Sequence, residues 1–267
     1  MSGFNRFKGG KLPPKRHLKM PALGDFLDKA TTWPAVPAQG WEFPVDPSAW
    51  GMLGNGPDSS NPPACPDGVG DCAPAGILHL IQAQSANTGN PLHATTDQAL
   101  ALYTAVTGFN PNDPDSDQGT VLTDLLSYVK TNGVEMTDAT GKTVTVEVVG
   151  SASLDISSIA QMRYGTYVLG GSYLGINCPQ QCEDDTANWN FASGLPIAGG
   201  HCIPRLGEGA DGGQIISWGL KIPASNGFLL SYLDEGYCLI TKAWLNAQNQ
   251  SPTGLDLNSL LAAMKSL

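Results

Sequence analysis

Hydrophobic positions have helical spacing over Ala73–Gln84, and hydrophobic and polar positions alternate as in a strand over Thr143–Val149. Further strand-like runs follow in the second half of the chain. The sequence Thr95-Thr-Asp-Gln98 is a capping box, and Asn132-Gly133 is a helix stop signal. These patterns predict helices over Leu23–Ala30, Ala73–Gln84, Thr95–Thr107, Val121–Thr131, Ile156–Tyr164 and Leu255–Lys265. The predicted strands are Thr143–Val149, Tyr167–Leu169, Leu195–Pro204, Gln214–Trp218 and Gly236–Thr241.

Helices followed by strands indicate an α+β fold with two lobes. We predict an extended arm over residues 1–45 and one domain over residues 46–267. Within that domain, the helical lobe spans about 46–140 and the lobe built from antiparallel sheet or barrel spans about 141–267. The chain shows no internal repeat.

Composition is that of a globular protein with many loops. Of the 267 residues, 41% are hydrophobic and 14% are charged, and there are 32 glycines and 20 prolines. No apolar run approaches the roughly 18 residues that a membrane-spanning helix needs. The first ten residues lack the apolar core of a signal peptide, so we expect synthesis in the cytoplasm without a signal peptide, and no membrane partner.

Charge is distributed unevenly along the chain, which has a net charge of −10. Residues 1–29 carry seven basic and two acidic side chains, and the remaining residues carry seven basic and 22 acidic ones. A basic arm on an acidic body is typical of self-association or of docking, to its own body or to a partner, and also of a solubilising tail. Nucleic acid is disfavoured as a partner because the acidic body would repel phosphate.

Two glycine-flanked sequence motifs contain the candidate catalytic residues. Gly70-Asp71-Cys72 opens the predicted helix at residue 73, and Gly199-Gly200-His201 lies in a predicted strand. A cysteine acts as a nucleophile in its thiolate form, which a helix N-terminus and a neighbouring imidazolium both favour. Cys72 and His201 are therefore candidates for a catalytic pair.

The other five cysteines give no comparable signal. Cys178 and Cys182 have the spacing of a local disulfide or of half a metal site, but no second pair completes a metal site. Cys202 and Cys238 lie in apolar strand-like runs and are interpreted as buried thiols, and Cys65 lies in a polar loop. We expect no metal and no cofactor.

The order of these segments resembles the papain-like cysteine peptidases. A cysteine there opens the long helix of one lobe, and a Gly-His strand, a Ser-Trp-Gly turn and a Gly-Tyr strand come from the other. The chain is similar in particular to a divergent branch in bacterial and bacteriophage genomes, over roughly residues 46–265. The matching residues are Trp50, Met52, Asn55, Cys72, His79, Trp218, Gly219, Tyr232, Asp234, Glu235 and Tyr237.

The resemblance implies a role for each site residue. Cys72 would attack a carbonyl, His201 would hold the thiolate as an ion pair, and Trp218 would pack beside His201. The Cys72 amide and an upstream side-chain amide would stabilise the oxyanion. Pro66 stands where the family has that side-chain amide, so Asn55 is the candidate, with residues 56–66 as an inserted loop and Asn61 as a poorer substitute.

The group that orients the histidine also departs from the family. The family has asparagine directly before Ser-Trp-Gly, and this chain has Ile216. The candidates to replace it are Ser217, Gln214 and Asn226. His79 is interpreted as a core residue, and Asp234 and Glu235 as a solvated strand end, with an acidic subsite as the alternative.

Two functions of different classes follow. The first is a papain-like thiol hydrolase, a peptidase or amidase that acts on a peptide substrate through Cys72 and His201. The second is a structural protein of a bacteriophage virion, with a decoration, cement or tail-associated role. This second protein would retain the peptidase fold with a degenerate site and would use residues 1–29 for assembly.

Overall fold

The computed structural model of the protein describes residues 9–15, 20–27, 34–38, 40–42, 51–254, 256 and 258. The other residues of the predicted arm, Trp50 and most of the predicted terminal helix lie outside this part of the chain. The predicted boundaries of the arm and of the two lobes stay predictions.

Most predicted helices are present, with small shifts at their ends. The capping box of Thr95 and Gln98 forms both of its hydrogen bonds, and Gly133 ends the fourth helix at a φ of +74°. The helices are α1 Leu23–Leu27, α2 Cys72–Asn87, α3 Thr96–Thr107, α4 Leu122–Asn132, α5 Ile159–Leu169, α6 Gln181–Asp184 and α7 Asn226–Tyr232. Within the described ranges, no helix is both long and apolar enough to cross a bilayer.

The strands form one seven-stranded antiparallel sheet and one hairpin. The sheet order is β4-β9-β5-β6-β7-β8, with β1 added against β6, and β2 pairs with β3. The strands are β1 Trp41–Glu42, β2 Val134–Thr137, β3 Thr143–Val146, β4 Val148–Ser153, β5 Ser172–Pro179, β6 Ile197–Glu208, β7 Gly212–Ser217, β8 Leu220–Ser225 and β9 Leu233–Thr241.

The predicted elements around residues 156–179 are wrong in detail. The predicted strand Tyr167–Leu169 is the last turn of α5, which Ser158 caps and Gly170 ends in a left-handed conformation. The central strand β5 was not predicted, and it shows no alternation since seven of its eight residues are buried. Strands β2 and β8 were not predicted either. The predicted strand Thr143–Val149 is divided at Glu147 between β3 and β4.

The large sheet is buried on both faces, and consecutive residues of a strand enter different cores. On β5, Tyr173 packs in the core around α2 while Leu174 packs in the core on the opposite face. On β6, Cys202 and Ile203 divide in the same way. Helix α2 is buried along almost its whole length, so it lies between the sheet and the other helices and fixes Cys72 against β6.

Candidate active site

Cys72 is the first residue of α2, at the junction of the helices and the sheet. Its side chain is buried, with 2% of the residue exposed. The backbone N–H groups of a first helical turn have no partner within the helix, so the Cys72 amide is available to an anion.

The loop before Cys72 is anchored by a carboxylate that the sequence did not single out. Asp117 accepts hydrogen bonds from the Gly70 amide at 2.9 Å and from the Tyr103 hydroxyl at 2.8 Å. Tyr103 also accepts a bond from the Gly119 amide at 2.8 Å. No local sequence signal marks Asp117, because only the fold brings it beside Gly70.

A segment of the chain's own N-terminal arm lies across Cys72. The Gly10 amide donates to Cys72 Sγ at 3.3 Å, and the Lys11 amide donates to the Gly200 carbonyl at 3.1 Å. On the other side, Thr120 donates to Gly10 O at 2.6 Å and accepts from the Leu12 amide at 2.8 Å. Residues 9–12 are therefore held as an extended chain between the two lobes.

His201 lies on β6, directly after the carbonyl that binds the arm. Its Nε2 atom is 2.7 Å from Ser217 Oγ, and its ring stacks on Trp218 with centroids 4.6 Å apart. Trp218 and Gly219 form the two-residue turn between β7 and β8 with φ angles of +49° and +73°. This left-handed conformation is costly for tryptophan, and it places the indole over the imidazole.

Of the three candidates to orient the histidine, Ser217 is the residue that contacts it. Gln214 lies three residues earlier on β7 and lines a separate cavity with Asn190. Asn226 begins α7 beside Gly212, at the far end of the β7–β8 hairpin, and its amide donates to Asp211 O. At about 3.3 Å of rise per residue, that end is roughly 16 Å from Ser217. Gln214 and Asn226 therefore do not orient His201 in this structure.

Asn55 is buried but serves the loop around it. Its Nδ2 atom donates to the Val69 carbonyl at 3.1 Å. Its amide also lies near the Asp71 carboxyl. Burial and the charge of Asp117 raise the pKa of that carboxyl well above its ordinary value. Asn55 thus stabilises the loop that leads to Cys72 in the present conformation.

Burial keeps both candidate catalytic groups neutral. It raises the pKa of the Cys72 thiol from 9.0 to about 12, although the backbone amides of Gly10 and Cys202 lower it in part. Burial also lowers the pKa of His201 from 6.5 to about 3. Within the described residues no hydrogen bond joins Cys72 to His201, and His201 Nδ1 has no hydrogen-bond partner. The expected thiolate–imidazolium ion pair is therefore not formed while the arm occupies the cleft.

A cavity of about 350 Å³ adjoins the arm and is lined from both sides of the cleft. Its lining includes Gly10, Gly119, His201, Trp218 and Cys178. Among the described residues, no three histidine, cysteine or acidic side chains cluster as metal ligands would, and the six cysteines are present as thiols.

Asp234 and Glu235 do not form the solvated strand end favoured by sequence reasoning. Glu235 is 6% exposed, and both carboxylates contact the Lys11 ammonium of the arm. His79 is buried as expected, and its Nε2 atom contacts the Gly51 carbonyl at 3.2 Å.

Comparison with solved structures gives the fold. Xylellain, a cysteine protease from Xylella fastidiosa, is similar over 88% of this chain and 96% of its own, with a TM-score of 0.56 and 10% identity. Procathepsin B S9 from Trypanosoma congolense is similar over 89% of this chain and 87% of its own, with a TM-score of 0.54 and 12% identity. The proform of the ragweed pollen cysteine protease Amb a 11 is similar over 84% of this chain and 70% of its own, with a TM-score of 0.52 and 13% identity.

No family model and no curated protein matches the sequence. The structural likeness at this low identity establishes that the chain has the papain-like α+β fold, as the sequence predicted.

Proposed function

We propose that the protein is a thiol hydrolase, a peptidase or amidase, with Cys72 as nucleophile and His201 as base, held closed by residues 9–12. The observation that carries the proposal is the extended segment in the cleft. Its backbone bonds to Thr120 on one side and Gly200 on the other while Cys72 Sγ contacts it in between. A cleft that binds an extended backbone against a thiol suits the hydrolysis of a peptide or related amide.

The closed state is unreactive for two chemical reasons. The atom of the arm that hydrogen-bonds to Cys72 Sγ is an amide N–H, whereas attack requires a carbonyl carbon in line with the sulfur. In addition, burial favours the neutral thiol and the neutral imidazole. Departure of the arm would expose both groups to water, move both pKa values toward their ordinary range and favour the thiolate and imidazolium.

In the open state the residues would act in sequence. His201 would accept the Cys72 proton at Nδ1, which requires that Nε2 carry a hydrogen and donate it to Ser217 Oγ. The thiolate would then attack the carbonyl, and the Cys72 amide would stabilise the oxyanion. His201 would return its proton to the leaving amine, and a water molecule would hydrolyse the thioester.

His201 itself supports a role beyond packing. Its Nδ1 atom is buried and has no hydrogen-bond partner among the described residues, an arrangement that costs free energy. This cost is expected if His201 Nδ1 must be able to accept the Cys72 proton during the reaction. The comparison structure of Amb a 11 is, by its name, a proform, which agrees with a closed state in this fold.

The test uses the full-length chain with Gly10→Ala to displace the arm. We expect hydrolysis of casein or of a peptide amide, and rapid alkylation of Cys72 by iodoacetamide near neutral pH. Adding His201→Ala should abolish hydrolysis and slow alkylation to the rate of an ordinary exposed thiol, and Ser217→Ala should weaken both. Alkylation that does not depend on His201, with no hydrolysis, would refute the proposal.

The alternative role, a structural protein of a bacteriophage virion, stays a prediction. It would be favoured if the Gly10→Ala protein were folded and open but hydrolysed no amide, and if deletion of residues 1–29 prevented incorporation into particles.

A further inference from the structure

Lys11 of the arm is a buried cation with two acidic partners from the sheet. Its side chain is 1% exposed, and its Nζ atom lies 2.5 Å from Asp234 Oδ2 and 3.1 Å from Glu235 Oε1. An ammonium removed from water needs such partners, because an unpaired buried charge is strongly unfavourable. The two carboxylates therefore form a site that matches a primary ammonium.

The site also has the shape of a lysine stem. A Cβ atom at Gly175 of β5 would lie 2.5 Å from Lys11 Cε and 2.7 Å from Glu235 Cγ. Gly175 pairs with Cys202 on one side and Glu235 on the other, within a buried strand where glycine is otherwise unfavourable. The missing side chain at residue 175 thus provides the space for the four-carbon stem.

Glu235 is held in place for this contact. Its Oε2 atom accepts a hydrogen bond from the Tyr237 hydroxyl at 2.7 Å, while Oε1 is the atom nearest Lys11. Asp234 is 18% exposed and completes the site on the solvent side. Without a bound cation, two neighbouring carboxylates would face each other with no compensating charge, so the empty site would favour another ammonium.

The position directly before the lysine accepts only glycine. A Cβ atom at Gly10 would lie 1.8 Å from the Gly70 carbonyl oxygen, and one at Gly119 would lie 2.2 Å from the Gly10 carbonyl oxygen. At Gly9, a Cβ atom would lie 2.7 Å from the Gly200 carbonyl oxygen. By contrast, Leu12 after the lysine is 37% exposed. The cleft therefore selects two small residues followed by a long basic one.

We propose that Gly175, Asp234 and Glu235 form a lysine-binding subsite, through which the cleft recognises peptide segments with the sequence Gly-Gly-Lys. The arm occupies this subsite in the closed protein, and a peptide of the same sequence competes for it. The inference rests on the proposed function only in that the bound peptide occupies the proposed catalytic cleft, since binding itself requires no hydrolysis.

The first experiment measures the rate at which iodoacetamide alkylates Cys72, by mass spectrometry of the Cys72 peptide. Lys11→Glu places a negative charge against two carboxylates, so the arm should leave the cleft and the rate should rise at least about 30-fold. Lys15→Glu is the matched control, because Lys15 makes an exposed ion pair with Asp124 in the same arm. A wild-type rate for Lys11→Glu, or an equal rise for Lys15→Glu, would overturn the proposal.

The second experiment adds short peptides to the full-length Lys11→Glu protein. Acetyl-Gly-Gly-Lys-Leu-amide should protect Cys72 from alkylation, and acetyl-Gly-Gly-Met-Leu-amide should protect at least about 30-fold more weakly. Acetyl-Gly-Ala-Lys-Leu-amide should give no protection. Asp234→Asn and Glu235→Gln should each reduce the preference for lysine over methionine; Asp234→Asn, at the more exposed position, serves if the other variant does not fold.

The outcomes separate this proposal from the proposed function. Protection by the lysine peptide in a protein that hydrolyses nothing would support the subsite and refute the hydrolase. Hydrolysis of peptides with equal protection by the lysine and methionine peptides would support the hydrolase and refute the subsite.

Discussion

Replacement of Gly10 by alanine should open the cleft by steric exclusion. The added Cβ atom would lie 1.8 Å from the Gly70 carbonyl oxygen, where real Cβ atoms stay beyond 3.0 Å. Both groups are backbone, so no side-chain rotation relieves the overlap. The segment must move away by more than an ångström, and the bonds from Gly10 to Cys72 and from Lys11 to Gly200 break.

The size of the effect follows from the pKa of Cys72. With the arm in place, burial raises that pKa from 9.0 to about 12. Each pKa unit changes the thiolate fraction tenfold near neutral pH, so full exposure raises it about 1000-fold. Because the thiolate is the species that iodoacetamide alkylates, the labelling rate of Cys72 should rise by the same factor.

The assay is a time course of alkylation, with Cys72→Ser to identify the labelled residue. Gly199→Ala is the matched control, because a Cβ atom at Gly199 meets no atom within 4 Å although the residue lies beside the cleft. The reasoning is refuted if Gly10→Ala is labelled at the wild-type rate in a folded protein. It is also refuted if Gly199→Ala raises the rate as much.

Two further predictions concern stability. Because burial lowers the pKa of His201 from 6.5 to about 3, this residue contributes stability that is present above pH 6.5 and lost as the pH falls toward 3, at about 1.4 kcal/mol per pH unit. Urea unfolding of His201→Gln should therefore depend less steeply on pH than that of the wild type in this range, and equal slopes would contradict the assignment. Arg205→Met would leave the Glu208 carboxylate buried without its nearest partner and should lower the free energy of unfolding by about 3–5 kcal/mol. The double variant Arg205→Met with Glu208→Leu should recover part of the loss, and no recovery would count against the ion-pair explanation.

Local signals in the sequence were sufficient for much of the helical lobe. The capping box at Thr95 and the stop at Gly133 act within one or two turns, so they are legible without knowledge of the partners. Of the strands, β3, β4, β6, β7 and β9 were predicted in whole or in part, whereas β2 and β8 were not. The central strand β5 was also missed, and since seven of its eight residues are buried it offers no alternation to detect.

The sequence likewise predicted one part of the candidate site and left another part open. The strings around Cys72 and His201 marked the fold from the sequence, and the likeness to solved papain-like structures agrees. Which residue contacts His201 was left open among three candidates, since Ser217, Gln214 and Asn226 differ only in how the β7–β8 hairpin places them. The hairpin turn brings Ser217 to the imidazole and carries Asn226 to its far end.

By itself, the sequence determined the lobe order, the two chemical strings and the uneven charge, because each depends on neighbours along the chain. Only the tertiary structure decided that Lys11 of the basic arm forms ion pairs with Asp234 and Glu235. Lys11 and Asp234 are separated by more than 200 residues and meet because β9, β5 and β6 lie side by side next to the cleft. Contacts of that range depend on how the strands assemble, and the same assembly places Gly10 over Cys72 and keeps its thiol neutral.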